Sequence, residues 1–148
     1  MSGNDSITSC LREDHRVLEG RLDALSTAIG SGEGIAESLV LAAELARRHY
    51  WREQPFLDCL ALYEPALADK LHAQHEEVSE ISARFEEALA AGQTRDMAAL
   101  ARRFHAIAQH NIIEEERDVF PLADRCFGAQ EQEELLAGLA PALDDSSC

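Results

Sequence analysis

The sequence predicts an all-α fold, an antiparallel up-down-up-down four-helix bundle with a short extra helix at its C-terminal end, and three features carry that prediction. The composition favours helix: 46% of the residues are apolar and only 5% aromatic, Ala, Leu and Glu dominate, and long runs contain neither Gly nor Pro. Apolar residues recur at alternating steps of three and four through four long segments, the pattern of a helix with one buried face. Breaks carrying Gly or Pro divide those segments into two pairs of matching spacing. A chain of 148 residues suffices for one domain with a sizeable core. The expected organisation is an N-terminal arm over 1–9, the bundle over 10–128, and a short helix with a tail over 129–148.

The first helix is expected to start near Leu11, capped by Thr8 or Ser9, with Leu11, His15, Leu18, Leu22, Leu25 and Ile29 on one face. Gly30-Ser31-Gly32-Glu33-Gly34 ends it. The second runs from about Ile35 to Leu62 along a seam of Ile35, Leu39, Ala42, Ala46, His49, Glu53, Phe56 and Leu60. Pro55 lies inside it, removes one backbone hydrogen bond, and predicts a kink or an early end. Pro65 suits the first turn of a third helix, whose seam is Leu71, His75, Val78, Ser82, Phe85 and Leu89 and which ends at Ala90-Ala91-Gly92. That seam matches the first helix slot for slot about the two histidines.

A fourth helix begins at Thr94 or Asp96, turns Met97, Leu100, Phe104, Ile107 and His110 inward, and ends near Pro121 or continues to Gly128. His15 and His49 are 34 residues apart, and His75 and His110 are 35 apart. Two helix pairs therefore repeat, the arrangement of a bundle with pseudo-twofold symmetry. Residues 130–137 suggest a short fifth helix leaning on the bundle, and 141–148 read as a frayed tail.

A formal net charge of −15 argues against nucleic acid and anionic membranes as partners, because both are held by clusters of Lys and Arg. No stretch approaches the roughly 20 apolar residues of a membrane span, and the N-terminus lacks the basic start and apolar core of a secretion signal. Cys10, Cys59, Cys126 and Cys148 are widely separated, so neither a disulfide framework nor a zinc knuckle is expected. These features point to a soluble, cytoplasmic protein.

Function is concentrated in polar residues that interrupt the apolar seams. His49 and Glu53 stand one turn apart on the same helix face and can reach a common point. His15, His75 and His110 occupy seam positions of the other three helices, so four imidazoles converge at one level. A buried ionised glutamate is costly unless cations lie beside it. A metal supplies them; Arg52, Arg117 and Arg125 are the alternative in a purely structural arrangement. On helix four, regular geometry favours Glu114 as the counterpart of Glu53, since a residue five along has rotated about 140° away from His110. Alignment back from Phe120-Pro121 favours Glu115, and a π-bulge would let His110 and Glu115 share a face. His72, one turn before His75, is a candidate fifth imidazole with Glu76 in reserve, whereas His105 falls off the seam.

A histidine on helix one, H-x-x-x-E at His49 and Glu53, a histidine on helix three, and H-x-x-x-x-E at His110 and Glu115 followed by Phe120-Pro121 together resemble the hemerythrin-like, or HHE cation-binding, family over about residues 10–127. The resemblance implies a non-haem di-iron centre, two iron ions cycling between Fe2+ and Fe3+ with an oxo or hydroxo bridge. Its ligands by position would be His15, His49, Glu53, His75, His110 and Glu115, with Glu114 the alternative to Glu115 and His72 completing five histidines. The H-x-x-H spacing of His72 and His75 departs from the family's H-x-x-x-H. Imidazole and carboxylate suit manganese or zinc as well as iron. Five histidines would favour reversible binding of O2 or NO, for sensing, storage or delivery. The alternatives are a di-iron oxidase, oxygenase or peroxidase acting on O2 or peroxide, and a metal-poor helical interaction protein. No organic substrate or protein partner is indicated.

Overall fold

The computed structural model describes residues 6–144 and 148. Helix α1 spans Ile7–Ser31, α2 Ile35–Leu60 and α3 Pro65–Ala90. Helix α4, Met97–Glu114, passes without interruption into a π-helical turn, Glu115–Val119, and then into α5, Phe120–Cys126; α6, Ala129–Ala137, closes the series. Contacts between α1 and α2, α2 and α3, α3 and α4, and α4 and α1 close a ring of four, the expected bundle.

Local chemistry sets the ends. Ser6 and Ser9 form a capping box at the start of α1, so helix begins earlier than the sequence suggested and Ile7 and Thr8 are buried in what was expected to be an arm. Gly32, at φ 76°, gives α1 a left-handed end that a side chain would strain. Pro65 stands at the first turn of α3, where its missing N–H costs nothing. Pro55 does not stop α2, which continues to Leu60 with the proline ring on its exposed side.

Two apolar clusters fill the bundle. One gathers Leu18, Leu22, Leu25, Leu39, Phe85 and Phe104; the other gathers Leu11, Phe56, Leu60, Leu71, Phe120 and Phe127. Between them lies a polar layer, because each long seam carries its polar residue at the same height: His15 after Leu11, His49 and Glu53 before Phe56, His75 after Leu71, and Glu115 before Val119. Helix α6 packs on α1 and α2, with the Gln132 side chain accepting a hydrogen bond from the Ile7 N–H at 3.1 Å.

The C-terminal segment corrects two expectations. Arg52 donates to the carbonyl of Ala140 and Arg48 to that of Ala142, and Leu143 is buried, so 140–144 is tethered rather than frayed. Cys10 and Cys148 form a disulfide. Their sequence separation of 138 residues hid the pairing, which arises when the tail returns past α1 and brings the Cα atoms to 5.5 Å. Residues 145–147 lie outside the described residues.

Candidate metal centre

Three imidazoles and two carboxylates meet in the polar layer. His15, His49, Glu53 and Glu115 each offer one ligand atom within 4.8 Å of the others, and all four are fully buried. His75 completes the group: its Nε2 lies 3.0 Å from Glu53 Oε2 and 3.3 Å from Glu115 Oε2. Glu115 thus spans two imidazoles, presenting Oε1 to His15 Nε2 at 2.9 Å and Oε2 to His75. Glu53 likewise stands between His49, at 3.7 Å, and His75.

Two expected ligands are elsewhere. His110 is 67% exposed and pairs with Glu114 across 3.3 Å, and His72 is 53% exposed and pairs with Glu76 across 3.1 Å. His105, expected off the seam, is half-buried and outside the cluster. Glu114 is buried but points away from the cluster, held by Lys70 at 2.5 Å and by the Gln74 amide at 2.8 Å. Of the two glutamates left open by the sequence, the structure brings Glu115 into the group. A π-helical turn is present, as that alternative required, but it begins at Glu115. Between residues 110 and 115 the helix is regular, so the residue sharing a face with Glu115 is Asn111, four before it.

The reason is the seam of α4. Met97, Ala101, Phe104, Ala108, Asn111 and Glu115 face the core. Leu100 and Ile107, chosen for their size, are flanking residues packed against it. Reading small alanines as seam residues would have found Asn111.

Asn111 completes an internal comparison. In the first half of the molecule, His49 Nδ1 donates to Asp14 Oδ2 at 3.0 Å, and Asp14 immediately precedes His15. In the second half, Asn111 Nδ2 donates to Gln74 Oε1 at 2.8 Å, and Gln74 immediately precedes His75. The symmetry is kept in position and broken in chemistry: a carboxylate–imidazole pair on one side, an amide–amide pair on the other. Asn111 also reaches Glu115 Oε2 at 3.3 Å, and its buried Oδ1 has no hydrogen-bond partner.

Asp14 and Arg52 were not anticipated as site residues, although Asp14 sits three after Leu11 and four before Leu18, on the buried stripe. Arg52 Nε donates to Asp14 Oδ2 at 2.8 Å. Burial alone would raise the pKa of Asp14, but the hydrogen bonds from His49 and Arg52 prevail and lower it. Burial lowers that of His49, which is therefore a neutral ring. Because an ionised Asp14 can only accept, Nδ1 carries the hydrogen and Nε2 turns its lone pair toward the cluster, the tautomer a metal ligand requires.

The remaining charges balance within the group. Burial disfavours a charged His15, yet its hydrogen bond to Glu115 and the Glu116 carboxylate 3.5 Å from its Nδ1 push its pKa up to about 10. His75 rises to about 9 against burial, through the charge of Glu53 and its contacts with both glutamates. Glu115 is pulled down to about 2 by His15 and His75, again against burial. Burial and the neighbouring Glu115 charge raise the pKa of Glu53.

This donor set fits a metal. His49 Nε2 and both Glu53 oxygens are buried without hydrogen-bond partners, Glu53 Oε2 being close to His75 but misaligned for a hydrogen bond. Among the described residues no Lys or Arg lies within ion-pair distance of Glu53 or Glu115: Arg52 serves Asp14 and Arg117 pairs with Asp118. Orphaned acceptors at this depth cost about 1–3 kcal/mol each unless a cation meets them. The buried His/Glu group is therefore competent to hold metal.

Access is on the α2–α3 side. His75 is the one member of the group with measurable exposure, 5%. The Tyr50 ring stacks on it at 3.9 Å, and a surface pocket of about 660 Å³ bordered by Tyr50, Trp51, His72 and Glu76 lies outside. No helix among the described residues is long and apolar enough to cross a membrane. In comparisons with known proteins, no family model, curated protein or solved structure matches this chain.

Proposed function

We propose that this chain is a hemerythrin-like non-haem iron protein whose buried centre binds O2, NO or peroxide. The observation that carries the reading is the convergence of His15, His49, Glu53, His75 and Glu115 from four helices, with the metal-facing atoms of His49 and Glu53 left unpartnered. His15 and His49 would be the terminal ligands of one iron and His75 that of the other, with Glu53 and Glu115 shared between them. An ion held by His75 would have fewer protein donors and, since His75 is the exposed member of the group, would be the one open to a small ligand. Iron there supplies an electron-rich site that a diatomic or peroxide can occupy. Asp14 fixes the His49 ring, Tyr50 and the two apolar clusters exclude water, and a bound metal would take the place of the protons on His15 and His75.

One observation favours a second reading, consumption of O2 or peroxide by an oxidase or peroxidase. With His72 and His110 at the surface the set is three imidazoles and two carboxylates, richer in carboxylate than the five-histidine set expected from sequence, and that weakens the case for purely reversible binding. A metal-poor interaction protein is the third outcome.

Metal analysis after expression with iron supplementation, followed by anaerobic reduction and admission of O2 under a visible spectrometer, separates the three. Bound iron with an absorption band that bleaches on degassing is expected for binding, and decay of the band with product for turnover. His49→Ala and Glu53→Ala are each expected to lose iron. Absence of any bound iron, manganese or zinc overturns the metal reading.

A further inference from the structure

The C-terminal strap and its disulfide touch the centre through a chain of three side chains. Cys148 is bonded to Cys10, one turn before Asp14 on α1. Arg52 reaches the tail with one end of its guanidinium, donating to the carbonyl of Ala140 and, at 3.5 Å, to that of Cys148. With Nε it holds Asp14 at 2.8 Å, and Asp14 holds His49 Nδ1 at 3.0 Å. Arg52 is 2% exposed and Asp14 2%, so both depend on these partners: a buried guanidinium that loses its carbonyl acceptors must find others or move toward water.

We propose that the Cys10–Cys148 disulfide is a redox latch on the metal centre. Closed, it seats the strap and, through Arg52 and Asp14, locks His49 in its ligating tautomer; opened, it releases the strap and loosens the hold on metal. The inference rests on the metal reading and adds a regulator to it. Cys148 is half-buried and Cys10 only 2% exposed, so a dithiol attacks Sγ of Cys148. The S–S bond breaks, Cys10 leaves as thiolate and takes a proton, and the second thiol of the reagent resolves the mixed disulfide. The protein gains two electrons and two protons and the dithiol is oxidised to its disulfide. Arg52 is a positioning residue here, since it meets the centre only through Asp14 and His49.

The strap carries its own reporter. Trp51, the single tryptophan of the chain, borders a surface cleft together with Arg48, Arg52 and Pro141 of the tail. Dithiothreitol treatment, and separately Cys148→Ser, are expected to shift Trp51 emission and to shorten the half-life of bound iron against a chelator by about 10- to 100-fold, the usual cost of losing a partner behind a ligand. In chelator-treated protein the His49 Nδ1–H resonance, sheltered by Asp14, is expected in the disulfide form and lost on reduction. Arg52→Gln in the disulfide form should release iron as fast as the reduced wild type, with reduction adding nothing more.

Reduction that moves Trp51 but leaves both iron half-life and the His49 proton unchanged overturns the latch, as does finding both cysteines free in protein prepared without reductant. If neither redox form binds metal, the metal reading fails, and the His49 proton alone decides whether the latch reaches the imidazole.

Discussion

Protons occupy the atoms that a metal would take in this centre. His15 and His75, with pKa values raised to about 10 and about 9, enter the pH range around neutrality protonated, so metal uptake there must expel protons. Weakly buffered protein is expected to acidify on adding ferrous ion, by less as the starting pH rises toward 10. Linkage gives the sign for the metal-free fold. Groups with raised histidine pKa stabilise fully below 6.5 and lose that contribution as pH climbs through 9 to 10; Glu115, lowered to about 2, stabilises above 4.5 and loses it as pH falls. Glu53, raised, adds a cost once ionised. Thermal unfolding of chelator-treated protein should therefore show its highest midpoint in mildly acidic solution and a decline toward pH 10. A midpoint that rises over that interval contradicts the charge assignment.

The amide pair invites a direct substitution. Asn111→His places an imidazole four before Glu115, and Gln74→Asp beside it recreates the orienting carboxylate of the other half. The double variant is expected to bind added ferrous ion about 10- to 100-fold more tightly than the wild type in a competitive chelator titration. His110→Ala and His72→Ala should leave metal content unchanged, since both rings stand in solvent.

At the scale of elements, the π-helical turn explains how one helix serves both the centre and the lower core. Glu115, Phe120, Ala123 and Phe127 are all buried at successive steps of five, three and four, and a regular helix would bring them to one face only if the first step were four. The π turn absorbs the extra residue. Deleting the exposed Arg117 restores steps of four, three and four, and is expected to preserve cooperative unfolding by circular dichroism. Deleting the exposed Ile113 instead rotates Glu115 by about 100° relative to Asn111 and should abolish metal retention.

The same helix shows what could be read beforehand. Seams in α1 and α2 were legible because bulky aliphatic residues mark them, and with them came His15, His49 and Glu53. In α4 the seam carries Ala101 and Ala108, both fully buried, while Leu100 and Ile107 cover its flank. Size pointed to the wrong register by one residue, turning His110 inward and Asn111 out. The Asp14–His49 and Gln74–Asn111 pairs join helices distant in sequence, and no spacing rule along one helix reveals them.

For the whole molecule, a bond between residues 138 apart closes nearly all of the chain into one loop. Loop-closure entropy for about 100 residues corresponds to about 4.7 kcal/mol as an upper expectation, with measured gains usually smaller. Reduction should lower the free energy of urea unfolding by about 2–4 kcal/mol with little change in helical content, and a midpoint indifferent to dithiothreitol would count against the tie. Net charge of −15 strains the compact state through self-repulsion, so divalent ions at the centre should raise stability beyond the contacts they make.

The phenol ring laid flat against His75 has a further consequence. Its hydroxyl is buried without a partner and its pKa is raised well above 10 by burial and by the charges of Glu115 and Glu53, so it stays neutral and cannot be drawn aside by ionising. A ring that can neither ionise nor hydrogen-bond its way aside is a fixed apolar cover on the side where the histidine comes nearest to solvent, so Tyr50→Ala is expected to quicken exchange of the His75 ring protons with water.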